Sequence, residues 1–89
     1  MSFVLPPFII DVGDAKVEIL EVVKYTLPNG EDRYHVVCRL YWRDIKTRPF
    51  FLDAKDMDDL RKKIEIELSK IKILYIIGGR NIVEEVVSR

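Results

Sequence analysis

The sequence has a single histidine, His35, and a single cysteine, Cys38, two residue types that often act in catalysis. In a strand over residues 33–43, His35 has no serine or cysteine partner on its own side, so no triad can form. One cysteine also excludes a zinc site built from several thiolates. Cys38 lies on the apolar side of this strand and behaves there as a small apolar group. We expect no enzyme, no metal site and no bound cofactor.

A row of basic and aromatic side chains is the main candidate for a binding site. Successive strand side chains point to opposite faces, so the positions between the apolar ones in residues 33–43 share a face. Arginine pairs with phosphates through two hydrogen bonds, and tyrosine offers a surface on which bases stack. The predicted contact residues for single-stranded RNA or DNA are Arg33, His35, Arg39, Tyr41, Arg43, Lys46 and Arg48.

The charge distribution leaves the partner of this row open. The chain has 15 basic and 15 acidic residues, whereas a protein that binds nucleic acid by charge alone is basic overall. Residues 1–32 carry six acidic and two basic side chains, and residues 33–52 carry five basic and one acidic. The preceding strand includes Glu18 and Glu21, so the row also fits cross-strand ion pairs in a solvated face, or an acidic partner.

A second candidate surface lies on the predicted C-terminal helix. One apolar stripe recurs at three- and four-residue steps and is expected to pack on the sheet. Its members are Met57, Leu60, Ile64, Leu68, Ile71 and Tyr75. Further apolar side chains lie outside this stripe, and they predict an interface in a homodimer or a larger complex. These are Ile66, Ile73, Leu74 and Ile77, with Ile76 widening the arc.

The last residues of the chain provide an alternative in which the second stripe is covered within the same chain. Gly78-Gly79 is expected to end the long helix, because glycine adopts the left-handed conformation of a C-cap. Asn81 followed by Glu84 is typical of a capping box that opens a short final helix through Val87. The apolar residues of that helix are a second candidate to cover the stripe. They are Ile82, Val83, Val86 and Val87.

Four strands are expected to precede the helix. They cover residues 8–12, 16–27, 33–43 and 48–52, with turns between them. The spacing of Val17, Leu20 and Val23 also fits a helix, but the composition of the second segment favours a strand. Pro49 cannot donate to a ladder, which places the fourth strand at an edge or Pro49 at its start.

The long helix is predicted to begin at an aspartate cap, Asp53 or Asp56, followed by acidic residues that suit a helix N-terminus. A continuous helix is favoured through residues 71–77, although the isoleucine content there leaves a fifth strand as the alternative. The fold class that follows is α+β: a four-stranded antiparallel meander with one long C-terminal helix packed on one face, and a short final helix. Residues 1–89 are expected to form one domain.

The composition also bears on the compartment. The first residues lack the basic segment of a signal peptide, and no apolar run reaches the length of a membrane span. We therefore expect a cytoplasmic protein that does not bind a membrane. Glutamine is absent and asparagine occurs only at Asn29 and Asn81, a pattern typical of proteins from thermophiles.

These observations predict a small non-catalytic binding module. The first hypothesis is binding of single-stranded RNA or DNA through the basic and aromatic row. The alternative is a protein–protein interaction module, either a homodimer or an accessory subunit of a larger complex, that uses the second stripe of the helix.

Overall fold

The structure, a computed structural model, describes residues 7–87, and it describes side chains for residues 7–79. Five strands and one long kinked helix follow one another along this part of the chain. They are β1 (Phe8–Val12), β2 (Ala15–Thr26), β3 (Asp32–Trp42), β4 (Ile45–Lys46), β5 (Phe50–Ala54) and α1 (Met57–Val87). The predicted α+β class, an antiparallel sheet with a C-terminal helix on one face, is confirmed.

The sheet differs from the predicted four-stranded meander because two short strands, instead of one, pair with β3 on its far side. β1 pairs with β2, β2 with β3, and β3 then pairs with both β4 and β5, all antiparallel. The predicted fourth strand at residues 48–52 lies instead at Phe50–Ala54, because Pro49 has no N–H and pairing resumes after it. Residues 45–46, predicted as turn, form the short β4.

The predicted phase of β3 is confirmed, and it defines the two faces of the sheet. Val36, Cys38, Leu40 and Trp42 are buried beneath α1, while the intervening side chains are partly exposed on the other side. We call the side away from α1 the outer face. Residues of all five strands and four helix residues make up the buried apolar core. These are Val12, Ala15, Val17, Ile19, Val36, Cys38, Leu40, Trp42, Ile45, Ala54, Leu60, Ile64, Leu68 and Ile71.

A β-bulge in β2 sets which of its side chains reach the outer face. Ile19 pairs with Cys38 and Glu21 with Val37, so Leu20 is the extra residue. An extra residue shifts the two-residue period by one position. Even-numbered residues therefore face outward before the bulge and odd-numbered residues after it.

The helix begins with a reciprocal cap at Asp56. The N–H of Asp59 donates to the Asp56 carboxylate at 2.8 Å, and the N–H of Lys55 donates to the Asp59 carboxylate at 3.0 Å. Asp53, the other predicted cap, lies in β5. Met57, predicted to belong to the packing stripe, is half exposed because it is the first residue of the helix.

Residues 71–77 are helical, which rules out the alternative prediction of a strand in this segment. Gly79 has φ 73° and ψ −172°, so the helical geometry is interrupted at the predicted glycine pair and helical backbone continues to Val87. The predicted capping box of Asn81 and Glu84, and the packing of the final apolar residues, lie outside the described side chains.

Two cations of α1 reach the opposite edges of the sheet. Arg61 donates to the carbonyl of Asp11 in β1 at 3.3 Å, and Lys63 donates to the carbonyl of Asp53 in β5. Edge strands otherwise present unpaired backbone groups to other chains. The helix therefore covers one backbone carbonyl at each of these two edges.

Candidate interaction surfaces

The outer face brings five of the seven predicted nucleic-acid contacts together. Strand alternation and register place Arg33, His35, Arg39 and Tyr41 of β3 on it, and Lys46 of β4 is paired opposite Tyr41. Acidic side chains of β2 and β5 lie among them.

Glu18 of β2 holds the centre of the row. Its carboxylate accepts a hydrogen bond from the Tyr41 hydroxyl at 3.0 Å and lies 3.8 Å from the Arg39 guanidinium. All three side chains are partly buried, so these contacts are screened less than surface pairs. Among the described residues, the Nε of Arg39 is buried without a hydrogen-bond partner. Arg39 is therefore held within the sheet rather than extended into solvent.

The two remaining side chains of the row in β3 also contact carboxylates. Arg33 donates to the Glu31 carboxylate at 2.6 Å. His35 Nδ1 lies 3.0 Å from the Asp53 carboxylate, and its ring stacks on Phe51 with centroids 4.8 Å apart. Arg33 and Arg39 thus meet carboxylates of the same chain, and of these two only Arg39 pairs with the preceding strand in the way the ion-pair interpretation of the row predicted.

Arg43 and Arg48 lie apart from this row. Arg43 occupies a two-residue turn with φ 56°, a conformation rare for residues other than glycine. Its guanidinium lies 5.1 Å from the Trp42 ring centroid and 5.6 Å from that of Tyr75, on the helix side of the sheet. Arg48 lines an open cavity with Ile71 of α1.

A polar cluster ties α1 to the turn between β1 and β2. The Asp14 carboxylate accepts from Lys72 at 2.7 Å and from the Trp42 indole at 3.0 Å. These two hydrogen bonds hold the pKa of Asp14 below its ordinary value of 3.8. The Lys72 ammonium also lies 5.6 Å from the Trp42 ring centroid. The cluster fixes the rotation of α1 and thereby the direction in which its solvent side points.

The solvent side of α1 carries four exposed isoleucines. The exposed fractions of Ile66, Ile73, Ile76 and Ile77 are 56%, 54%, 81% and 76%. We call these four residues the outer stripe. Leu74, which the sequence assigned to the same interface, is half-buried and packs on the core instead.

The outer face of the sheet carries exposed apolar side chains that the sequence reasoning did not single out. Ile9 of β1, Val23 of β2 and Phe51 of β5 are exposed there. Strand alternation could have identified Ile9 and Phe51, because each lies opposite in phase to the inward residues of its strand. Val23 could not be assigned without the bulge.

An open cavity of about 420 Å³ lies where the inner face of the sheet extends past the start of α1. Its walls are mainly apolar and include Val22, Tyr34 and Met57. Among the described side chains, no three metal-binding groups gather into a site that could hold an ion. No helix within residues 7–87 is long and apolar enough to cross a membrane.

Comparisons of the chain with protein-family models, with curated proteins and with solved structures find no match. The geometry of the surfaces is therefore the basis for a functional proposal.

Proposed function

We propose that this chain is a protein-interaction module whose contact surface is the outer stripe of α1. The proposal is carried by the C-terminal part of the helix, residues 73–77, where every side chain is apolar or aromatic. A helix that is apolar on all sides is normally buried on all sides. Here the core covers one side, and Ile73, Ile76 and Ile77 remain exposed.

The free energy available from covering the stripe is large enough to support association. Fully burying one isoleucine contributes about 1.5–3 kcal/mol. At their exposed fractions, the four isoleucines would contribute roughly 4–8 kcal/mol per copy. Loss of translational and rotational freedom opposes association by about 4–15 kcal/mol. A partner that offers a matching apolar surface can therefore reach a measurable affinity.

Photo-crosslinking in cells of the native host tests this proposal. A photoreactive side chain at Ile76 should give a covalent protein adduct, because this position is the most exposed of the stripe. The same group at Asn29, in the exposed turn between β2 and β3, is the matched control. Adducts at Ile76 but not at Asn29 support the proposal. Equal yields at both positions, or no adduct at Ile76, reject it.

Nucleic-acid binding is the second candidate, and it stays a prediction. It is supported by the gathering of Arg39, Tyr41 and Lys46 on one face with Arg33 and His35. It ranks second because acidic side chains on that face offset the positive charge that would attract phosphates. The residues assigned to the contact are then the five on the outer face.

Fluorescence anisotropy with a labelled single-stranded oligonucleotide tests this candidate. Lys46→Glu, on the outer face, should weaken binding several-fold, and added salt should weaken it further. Arg48→Glu makes the same charge change at an exposed position away from that face and should leave binding nearly unchanged. Absence of binding at low salt, or equal losses in the two variants, would end this candidate.

Four broader expectations accompany the proposal. We expect a non-catalytic protein that works in the cytoplasm, possesses no small-molecule cofactor, and comes from a thermophile. A thermal unfolding midpoint well above the roughly 45–65 °C of mesophilic domains would support the last expectation. A midpoint within that range would count against it.

A further inference from the structure

We infer that the partner of the outer stripe is a second copy of this chain, and that the two α1 helices pack antiparallel across it. This inference rests on the proposed function and adds to it the identity of the partner and the orientation of the contact. In this arrangement Ile66 of one copy meets Ile76 of the other, and Ser69 of one copy meets Ile73 of the other.

The spacing of the solvent side of α1 supports a helix–helix contact. Ile66, Ser69, Ile73 and Ile76 follow one another at steps of three, four and three residues. This is the spacing of the contact positions in a coiled coil, where each side chain inserts between four residues of the facing helix. The side of α1 that packs on the sheet uses other residues, so the contact positions remain available.

Ser69 indicates that the facing helix is antiparallel. In a parallel pair of copies each residue faces itself, so two small serines would meet and leave a gap. In an antiparallel pair each residue faces a different residue of the other copy. Ser69 of each copy then faces the larger Ile73 of the other, which gives two symmetric layers. Large and small residues then complement each other along the contact.

Three polar side chains beside the stripe keep partners within their own copy. The Ser69 hydroxyl donates to the carbonyl of Glu65 at 2.9 Å, so it keeps a partner when a second helix covers it. The flanking Lys70 lies 3.1 Å from Glu67, and Lys72 lies 2.7 Å from Asp14. Lys70 and Lys72 therefore each carry a counter-ion from their own copy, which reduces repulsion between the two copies.

Disulfide trapping with purified protein tests the orientation. A mixture of Ile66→Cys and Ile76→Cys proteins should form the mixed disulfide fastest, because these positions face each other in the antiparallel pair. Two Ile66→Cys copies should react slowly, since ten residues of helix place them about 15 Å apart. Native Cys38 should not form disulfides in this experiment, because it is buried and burial raises the pKa of its thiol to about 11.

The control is Asn29→Cys, which reports random collisions at an exposed turn. Faster mixed 66–76 disulfides than in this control support the inference. If disulfides between two copies of Ile66→Cys dominate, the helices pack parallel and the inferred antiparallel orientation is wrong. Rates equal to the control would overturn pairing with a second copy, and the Ile76 photo-crosslink would then show whether another protein occupies the stripe.

Discussion

Thr47 closes a gap in the sheet, and its removal should destabilise the fold in a defined way. β3 pairs with β4 at Tyr41 and Trp42 and with β5 at residues 34–38, so Leu40 lies between the two ladders. The buried Thr47 fills this place: its N–H donates to the Leu40 carbonyl and its hydroxyl accepts from the Leu40 N–H, both at 3.0 Å.

Two substitutions at this position separate the hydrogen bond from packing. Thr47→Val keeps the shape of the side chain but leaves the buried Leu40 N–H without an acceptor, which costs about 1–3 kcal/mol. Thr47→Ser keeps the acceptor and removes one methyl group, which costs about 0.8 kcal/mol. We expect the free energy of unfolding to fall more for valine than for serine.

Urea unfolding at one fixed protein concentration measures both changes. The midpoints should fall in the order wild type, serine, valine, with a constant dependence on urea. A fixed concentration is needed because a contact between copies would itself add to the apparent stability. A valine variant as stable as the wild type, or less affected than serine, would refute the role given to the Thr47 hydroxyl.

Two further predictions concern titratable groups. Asp14→Asn should lower stability at pH 7 because Lys72 loses its counter-ion; the lowered pKa of Asp14 means that this loss shrinks as pH falls below about 3.8. Urea midpoints at pH 7 and below pH 3.8 check it, and a constant difference would contradict it. Cys38 should react with a thiol reagent no faster than the protein unfolds, because its pKa is raised to about 11; fast labelling of folded protein would contradict this.

The features of the fold that depend on periodicity could be predicted from the sequence. The alternation of apolar and polar residues in 33–43 predicts which side chains of β3 face the core, because only one side of this strand is buried. The helix stripe at Leu60, Ile64, Leu68 and Ile71 and the interruption at Gly79 follow from equally local signals.

Features that arise where one residue interrupts a regular pattern, or where distant backbone segments meet, could not be predicted. Leu20 is an extra residue in β2, so Val17 faces the core and Val23 the outer face, and their helix-like spacing does not place them on one side. Pairing of Thr47 with Leu40 depends on two backbone segments meeting, which no local pattern reports.

For the candidate surfaces, a set of residues could be predicted from the sequence, but not which of them contact each other. Alternation predicted that Arg39 and Tyr41 share a face, whereas their common contact with Glu18 depends on the register between β2 and β3. Arg43 follows the same alternation in the sequence, yet the turn conformation with φ 56° directs it to Trp42.

Sedimentation equilibrium of three proteins tests the central claim, that the outer stripe of α1 is the contact surface. We predict that the wild type and Ile9→Lys associate to dimers. Ile73→Lys should raise the dissociation constant by roughly 100-fold, because the symmetric contact contains this residue twice. Ile9 is the matched control, since its side chain is similarly exposed but lies on the sheet. Association that survives Ile73→Lys and is lost in Ile9→Lys would place the contact on the outer face of the sheet and contradict the account.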